Sequence, residues 1–136
     1  MKIIKWNDAL ELGIPRIDDD HRRWVEMFNA LFSACLAGVG PDVLAGTLQQ
    51  LLDYTKGHFQ REEAFLEEIG FDGLEEHRKI HAAMVAEVQK IEEQLRKGAT
   101  HDLSAEVLSF LHDWLIDHIT ETDVKYAVMG RAGANA

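Results

Sequence analysis

Seven potential metal ligands lie at helical spacings in four separate segments, and this pattern constrains the fold more than any other feature of the chain. Two pairs are four residues apart, so both side chains of each pair lie on one helix face, about 40° apart around the axis. The groups can converge only if four helices pack around a common core. The residues are His21, then His58 with Glu62, then His77 with His81, then His118 with Asp123.

Apolar residues recur at spacings of three and four in four segments, which predicts amphipathic helices and an all-α fold. The connections are short, so neighbouring helices should be antiparallel and form an up-down-up-down four-helix bundle. Pro15 and mixed polarity predict an extended N-terminal arm before the first helix. We expect one domain over residues 1–136, with the arm at 1–18 and helices at about 19–37, 42–69, 73–97 and 102–129.

Local signals place helix ends and several core positions. Asp18 or Asp19 is predicted to cap the first helix, and Gly98 to end the third. Cys35 continues the apolar stripe of the first helix and Phe110 that of the fourth, so both are predicted to face the core.

Net charge and cysteine content narrow the function classes. The net charge of −10 repels phosphate backbones and anionic bilayers, so we expect no nucleic-acid or membrane partner. There is no secretory signal pattern at the N-terminus and no apolar run near the roughly 18 residues of a membrane span. The single cysteine excludes an internal disulfide, and we expect a cytoplasmic monomer.

The paired histidines favour a metal centre over ordinary core packing. A lone histidine such as His21 needs no metal to be buried. His77 and His81, however, replace two positions of an apolar stripe, and buried imidazoles and a buried Glu62 cost desolvation energy that a metal ion removes. In an antiparallel bundle all four groups fall toward the same end. The sequence therefore predicts a bound metal centre there.

The number and type of ligands favour two ions. Structural zinc sites close with four ligands, usually including cysteine, whereas seven ligands suit two iron or manganese ions of higher coordination number. Carboxylates can bridge, which makes Glu62 and Asp123 the natural bridges. Five imidazoles divide into three and two, and the ion with two should keep an open position.

The identity of the last ligand is open from spacing alone. His118 and Asp123 are five residues apart, about 140° around a regular helix, and share a face only if the helix is distorted, for example by a π-bulge. Glu121 lies three residues from His118 and is geometrically easier. Spacing does not decide between the two carboxylates.

The ordered pattern of these groups resembles the hemerythrin family, specifically its single-domain bacterial type. The similarity covers nearly the whole chain: Trp6 in the arm, I-D-D-D-H before the first ligand, Y-T-K-G-H-F-x-x-E-E in the second helix and D-W-L-I-D-H-I in the fourth. The family pattern selects Asp123 over Glu121.

The resemblance implies a di-iron centre, oxo- or hydroxo-bridged, that binds dioxygen reversibly. His77, His81 and His118 would hold one iron, His21 and His58 the open one, and Glu62 and Asp123 would bridge. By the same analogy, a dry pocket would be lined by Phe59, Leu66, Trp114, Leu115 and Ile119, with Tyr126 as a hydrogen-bonding neighbour.

Other polar residues are interpreted as surface or as helix caps. These are His101, His112 and Glu63 on the surface, and Asp18 to Asp20 at the start of the first helix. Gly57 lies inside the second helix at a cost of about 1 kcal/mol relative to alanine, and its missing side chain would let another group approach the backbone beside His58.

The function predicted from these ligands is an oxygen carrier, store or delivery protein that is not an enzyme. Oxygen-activating bundles use mostly glutamate, and neutral imidazoles stabilise highly oxidised iron less well. Two alternatives remain open: an oxygen or redox sensor that signals to a partner, and an enzyme that turns over peroxide or nitric oxide. The expected partners are dioxygen and an oxygen-using enzyme or a signalling protein.

Overall fold

The computed structural model describes residues 3–97 and 105–134. Within these ranges the chain is helical and contains no strand. A 3₁₀ turn in the arm (Asp8–Leu10) precedes the helices, which are α1 (Pro15–Leu36), α2 (Pro41–Glu68), α3 (Leu74–Arg96), α4 (Ala105–Asp117) and a short α5 (Ala127–Ala134).

The long helices form the predicted bundle. α2 packs against both α1 and α3, and α1 also contacts α4. Short turns join α1 to α2 and α2 to α3, so consecutive helices are antiparallel. The prediction of an all-α up-down-up-down four-helix bundle is confirmed. None of the described helices is long and apolar enough to cross a membrane.

The first helix begins at Pro15 rather than at residue 19. Proline is tolerated at the first helical position, because its missing N–H needs no partner there. Asp18 does not cap the helix: its carboxylate accepts hydrogen bonds from the N–H groups of Leu12 (2.8 Å) and Gly13 (3.0 Å). The prediction that Asp18 or Asp19 caps α1 is therefore wrong, and Asp18 instead fastens the arm to the helix.

The arm, residues 3–14, is held at both ends. Near its start, Asn29 of α1 exchanges two hydrogen bonds with the backbone of Ile4, each 2.8 Å long. Near its end, Arg131 of α5 donates from Nη1 to the carbonyl oxygen of Leu12 at 2.7 Å. The arm is therefore tied to the first and the last helix, and it ends at residue 14 rather than 18.

The fourth bundle segment is not one regular helix. After α4, a π-helical turn covers His118–Thr122 and a 3₁₀ turn covers Asp123–Tyr126. Helical backbone continues through α5, beyond the predicted end at residue 129. The predicted start at residue 102, the Gly98 cap and the surface position of His101 lie outside the described residues.

Two apolar clusters enclose a layer of buried polar residues. The large apolar cluster fills most of the bundle, and the small apolar cluster lies beside the arm. On α1, for example, His21 lies between Ile17 of the small cluster and Trp24 of the large one. The small cluster consists of Leu12, Ile14, Ile17, Phe65, Leu66, Tyr126 and Ala127.

Of two predicted core positions, one is wrong and the other is confirmed only in part. Phe110 is 39% exposed, since it lies at the solvent edge of a groove between α3 and α4 with Ile91 and Val107. Cys35 packs against the large apolar cluster, as predicted, but is only partly buried because it lies in the last turn of α1.

Candidate metal centre

All seven predicted ligands come together in the layer between the two apolar clusters, which we call the ligand layer. Each of these side chains is buried, with at most 3% of its surface exposed. They come from α1, α2, α3 and the fourth segment. The members are His21, His58, Glu62, His77, His81, His118 and Asp123.

Glu62 lies at the centre of the layer. Its Oε1 lies 2.6 Å from Nε2 of His77 and 3.1 Å from Nε2 of His81. Its Oε2 lies 3.4 Å from Nε2 of both His21 and His58. The two oxygens of this carboxylate therefore point at two different groups of imidazoles.

Asp123 has the same relation to the imidazoles. Its Oδ1 lies 3.0 Å from Nε2 of His77 and 3.1 Å from Nε2 of His118, whereas its Oδ2 lies 3.1 Å from Nε2 of His21. The π-helical turn that starts at His118 rotates Asp123 onto the same face. Glu121 is exposed. The structure therefore places Asp123, not Glu121, in the ligand layer.

The donors form two groups that share Glu62. One group has five members, Glu62, His77, His81, His118 and Asp123, and the other comprises His21, His58 and Glu62. Within each group one donor atom per residue lies within 4.8 Å of all the others. The layer can hold two ions, with Glu62 shared between them.

The spacing of the ligand atoms in the larger group fits an ion of high coordination number. With a metal–nitrogen distance of about 2.1 Å, neighbouring ligands are about 3.0 Å apart in an octahedron and about 3.4 Å apart in a tetrahedron. In the larger group, Nε2 of His118 lies 3.1 Å from Nε2 of His81 and from Oδ1 of Asp123. Nε2 of His118 lies farther, 4.0 Å, from Oε1 of Glu62.

Several buried nitrogen and oxygen atoms of the ligand layer lack a hydrogen-bond partner among the described residues. They include Nε2 of His21, Nε2 of His58 and both carboxylate oxygens of Asp123. A buried polar atom without a partner costs about 1–3 kcal/mol. Metal ions would use the lone pairs of these atoms and neutralise the carboxylates, so the residues fit a dinuclear centre.

The carboxylates strongly influence the protonation of the imidazoles. Burial lowers the pKa of His21 and His77, but the nearby carboxylates of Asp123 and Glu62 outweigh it and raise each pKa to about 9. His58 differs: burial is the largest effect and lowers its pKa. In Glu62, burial raises the pKa, but the surrounding histidines hold it well below its usual range. The layer is thus electrostatically tightly coupled.

Two ligand histidines are backed by carboxylates that the sequence did not reveal. Nδ1 of His58 lies 3.1 Å from Oδ2 of Asp20, and Nδ1 of His81 lies 2.9 Å from Oε2 of Glu63. An ionised carboxylate only accepts, so each Nδ1 carries the hydrogen and each Nε2 faces the layer. The interpretations of Asp20 as a helix cap and of Glu63 as a solvated surface residue are therefore wrong.

Tyr126 closes the layer on the side of the small apolar cluster. Its hydroxyl donates a hydrogen bond to Oε2 of Glu62 at 3.0 Å, and the ring is fully buried. Burial is the main cause of a strongly raised pKa of Tyr126, with the charge of Glu62 adding to it. The hydroxyl therefore stays protonated and holds the Glu62 carboxylate in place.

Aromatic rings cover the layer on the side of the large apolar cluster. Phe59 stacks on His81 with 3.6 Å between ring centroids, and Trp114 stacks on His118 at 4.4 Å. The Trp24 ring on α1 also lies against the layer, with 5.1 Å between its centroid and that of His58.

The other pocket residues named from the sequence divide between the two sides. Leu115 and Ile119 are buried in the large apolar cluster. Leu66 is buried in the small one, with Tyr126. His112, interpreted as a surface residue, is partly exposed and contacts Asp113 rather than the layer.

An antiparallel four-helix bundle with a buried layer of five imidazoles and two carboxylates defines a bundle protein built for a dinuclear metal centre. Residues 12–129 match the family described as the hemerythrin HHE cation binding domain. The chain belongs to the hemerythrin family. Members of this family bind dioxygen at a di-iron centre, and the ligand layer has the donors for two metal ions.

Individual relatives agree over nearly the whole chain. A bacteriohemerythrin of Stenotrophomonas maltophilia is 34% identical over 135 residues, which cover 99% of this chain and 86% of the relative. A bacteriohemerythrin of Pseudomonas aeruginosa is 36% identical over 93% of this chain and 80% of its own. The crystal structure of wild-type hemerythrin superposes with a TM-score of 0.84 at 23% identity, covering 96% of this chain and 99% of that one.

Proposed function

We propose that this protein binds dioxygen reversibly at its di-iron centre and serves as an oxygen store, carrier or delivery protein. The observation that carries the proposal is the division of a buried carboxylate between two groups of imidazoles. Glu62 directs Oε1 toward His77 and His81, and Oε2 toward His21 and His58. One side chain can therefore bridge two irons.

Asp123 supports the same assignment, because its two oxygens also lie near different groups. Three imidazoles would then hold one iron and two would hold the other, so the second iron would have one protein ligand fewer and room for a small molecule. The assignment is His77, His81 and His118 for the first iron, and His21 and His58 for the second.

The chain's own residues keep the site dry. When bound, a di-iron centre supplies two electrons to dioxygen and recovers them on release. Trp24, Phe59 and Trp114 pack on the ligand imidazoles, and Leu115 and Ile119 fill the space behind them. We propose that this side admits oxygen and excludes water.

The opposite side holds the carboxylates in position. Leu66 has no exposed surface, and the Tyr126 hydroxyl donates to Glu62. We propose that Leu66 and Tyr126 seal this side, since a buried carboxylate that moved toward solvent would lose its bridging position. The two sides thus have separate tasks, oxygen access and bridge orientation.

The donor set favours release of oxygen over its activation. Five neutral imidazoles and two carboxylates stabilise highly oxidised iron less than the glutamate-rich sets of oxygen-activating bundles. We therefore propose a binding protein and not an enzyme. Catalytic turnover of peroxide or nitric oxide with a reductant would contradict this part of the proposal.

The test is the visible spectrum of anaerobically reduced, iron-loaded protein cycled between nitrogen and air. A charge-transfer band that appears in air and disappears under nitrogen over repeated cycles is expected. Permanent conversion to a ferric spectrum on the first exposure would contradict reversible binding.

A matched pair of variants ties the spectrum to the ligand layer. Asp123→Ala removes a fully buried donor, whereas Glu121→Ala removes an exposed carboxylate two residues away. We expect the first variant to lose the reversible band and the second to retain it. Retention of the reversible band in Asp123→Ala would exclude Asp123 as a ligand.

One contact favours a sensor as the second candidate function. Arg131 of α5 binds the arm at Leu12, and α5 continues directly from the turn that contains Asp123. A change in iron coordination at Asp123 would thus reach the arm through a short helical path. Faster hydrogen exchange in residues 3–14 on oxidation would support a sensor, and equal exchange would favour the carrier.

We also propose that the chain acts as a single-domain monomer in the cytoplasm. The net charge of −10 opposes self-association, and the single cysteine suits a reducing compartment. Light scattering after size-exclusion chromatography should give a mass near 15.4 kDa. A stable mass of twice that value would contradict the monomer.

A further inference from the structure

Asp20 lies behind one ligand histidine of the smaller donor group and is itself firmly held. Its Oδ2 receives the His58 Nδ1–H at 3.1 Å and Nε–H of Arg61 at 2.8 Å, and its Oδ1 lies 3.1 Å from Nη2 of Arg61. The Tyr54 hydroxyl lies 3.2 Å from the same Oδ1 and 2.9 Å from the Asp20 carbonyl oxygen. The carboxylate is thus fixed from three directions.

The environment keeps this carboxylate charged. The carboxylate forms an ion pair with the Arg61 guanidinium, with 2.8 Å between Oδ2 and Nε, and also accepts the hydrogen bond from His58. Only 18% of the side chain is exposed, so solvent screens the charge incompletely. His58 therefore has a lasting negative charge on the side away from the ligand layer.

Gly57 leaves the space that Arg61 needs. A Cβ atom at position 57 would lie 3.1 Å from Nη1 of Arg61, which is tighter than an ordinary van der Waals contact. The guanidinium also lies over the Tyr54 ring, 5.4 Å from its centroid. The glycine inside α2, costly for the helix, thus accommodates the arginine that holds Asp20.

Glu63 forms a looser counterpart in the larger donor group. Its carboxylate accepts a hydrogen bond from Nδ1 of His81. The nearest arginine, Arg78, has its Nε 3.4 Å from Oε1 of Glu63 and also contacts Glu67 and Glu75. No tyrosine hydroxyl donates to Glu63 among the described contacts. One histidine of each donor group therefore has a carboxylate behind it. The carboxylate of Asp20, in the smaller group, is held more firmly than that of Glu63.

We propose that Asp20 is a positioning residue that sets the metal affinity and reduction potential of the ion held by His21 and His58. The carboxylate fixes the Nδ1–H tautomer of His58, so that Nε2 presents its lone pair to the ion. Its negative charge strengthens electron donation by the imidazole, and stronger donation favours the ferric over the ferrous state. The identity of the metal as iron rests on the proposed function, whereas the tautomer and the affinity do not.

Two substitutions of Asp20 separate the effect of its hydrogen bond to His58 from the effect of its negative charge. Asp20→Asn keeps an oxygen that can accept from His58 but removes the charge, whereas Asp20→Ala removes both. Glu63→Gln is the matched control, because it neutralises the carboxylate behind His81 in the other group. Arg61→Gln removes the anchor of Asp20 and leaves the carboxylate in place.

Cobalt(II) is the first probe, since its binding needs no oxygen chemistry. We expect Asp20→Ala to weaken cobalt binding at one of the two sites by roughly 10- to 100-fold, and Asp20→Asn by less. A hyperfine-shifted, exchangeable N–H proton resonance of cobalt-bound protein should vanish in Asp20→Ala and persist in Asp20→Asn. Glu63→Gln should alter a different resonance.

The reduction potential of the iron-loaded protein tests the effect of the charge. Asp20→Asn should raise the potential of one iron, and Arg61→Gln should change it less than Asp20→Asn does. A purely structural contact between α1 and α2 would lower the free energy of unfolding in both variants without moving the potential or the N–H resonance. That result would overturn the proposal.

The outcomes also distinguish this inference from the proposed function. An unchanged cobalt affinity and a persisting N–H resonance in folded Asp20→Ala would overturn the positioning role, even with reversible oxygen binding in the unmodified protein. If Asp20→Ala does not fold, Asp20→Asn decides through the potential. Failure of the unmodified protein to bind oxygen, with the expected cobalt results, would overturn only the proposed function.

Discussion

The ligand layer and the large apolar cluster are both buried, but their interiors are held together differently. The cluster consists of hydrocarbon and aromatic side chains that gain stability by leaving water. The layer packs five imidazoles and two carboxylates, several of whose atoms have no hydrogen-bond partner within the described residues. The fold should therefore depend on the cluster, and metal binding on the layer.

This separation is possible because the two regions share helices but not side chains. His58, for example, lies one residue before Phe59, which belongs to the cluster. A substitution in the large apolar cluster should mainly affect the stability of the fold, and a substitution in the ligand layer should mainly affect metal binding. The predictions below test that independence, beginning with the largest effect.

Glu62→Ala should have the largest effect, since it removes the carboxylate shared by both donor groups. We expect the variant to bind fewer than two irons under conditions that fully load the unmodified protein. Helix content should persist, because the large apolar cluster is untouched. Iron analysis and circular dichroism measure the two properties.

Glu67→Ala is the control for that variant, since Glu67 lies on the same helix with 72% of its side chain exposed. It should load two irons normally. Two tightly bound irons in Glu62→Ala would remove Glu62 from the ligand set.

Leu48→Ala should show the converse behaviour. Leu48 is fully buried in the large apolar cluster, and the cavity left by the substitution should lower the free energy of unfolding by about 2–5 kcal/mol. The folded variant should still bind two irons. Val43→Ala, at a position that is 55% exposed, should change stability by less than about 0.5 kcal/mol. Iron loss in folded Leu48→Ala would show that the regions are not independent.

Tyr126→Phe tests the boundary between the ligand layer and the small apolar cluster. The substitution removes the hydroxyl that donates to Glu62 and should lower the free energy of unfolding by about 1.5–3 kcal/mol, the contribution of a hydrogen bond to a charged group. Denaturant unfolding measures the change. An unchanged stability, together with unchanged iron affinity, would show that this hydrogen bond does not hold the carboxylate.

Proton release should show the smallest effect. His21 and His77 have pKa values raised to about 9, so at pH 7 both are protonated in metal-free protein and must lose a proton to bind metal. Metal affinity should therefore rise with pH as His21 and His77 lose their protons, and this contribution should level off above about pH 9. Calorimetry of cobalt binding in buffers of different ionisation enthalpy measures the release. Binding at pH 7 without proton release would contradict the raised pKa values.

Much of the fold and of the ligand layer could be predicted because both follow from helical periodicity. The spacing of His58 and Glu62, or of His77 and His81, fixes a common helix face wherever the helix ends. Asp123 was different, because its position depends on a π-helical turn that no spacing rule supplies. The family resemblance, not the periodicity, selected it.

The residues behind the ligands were missed for a physical reason. Asp20 and His58 are 38 residues apart, and Glu63 and His81 are 18 apart, so each contact forms only after the helices have packed. In the sequence both carboxylates look like ordinary surface acids. Asp18 was misassigned similarly, since its partners lie in the arm and not in its own helix.

The most direct test of the account is the iron content and electron paramagnetic resonance spectrum of oxidised, iron-loaded protein. We expect two irons per chain and no signal from either, because Glu62 and Asp123 would hold the two ions close enough to couple. One iron per chain, or the signal of an isolated high-spin ferric ion at full loading, would contradict the dinuclear centre.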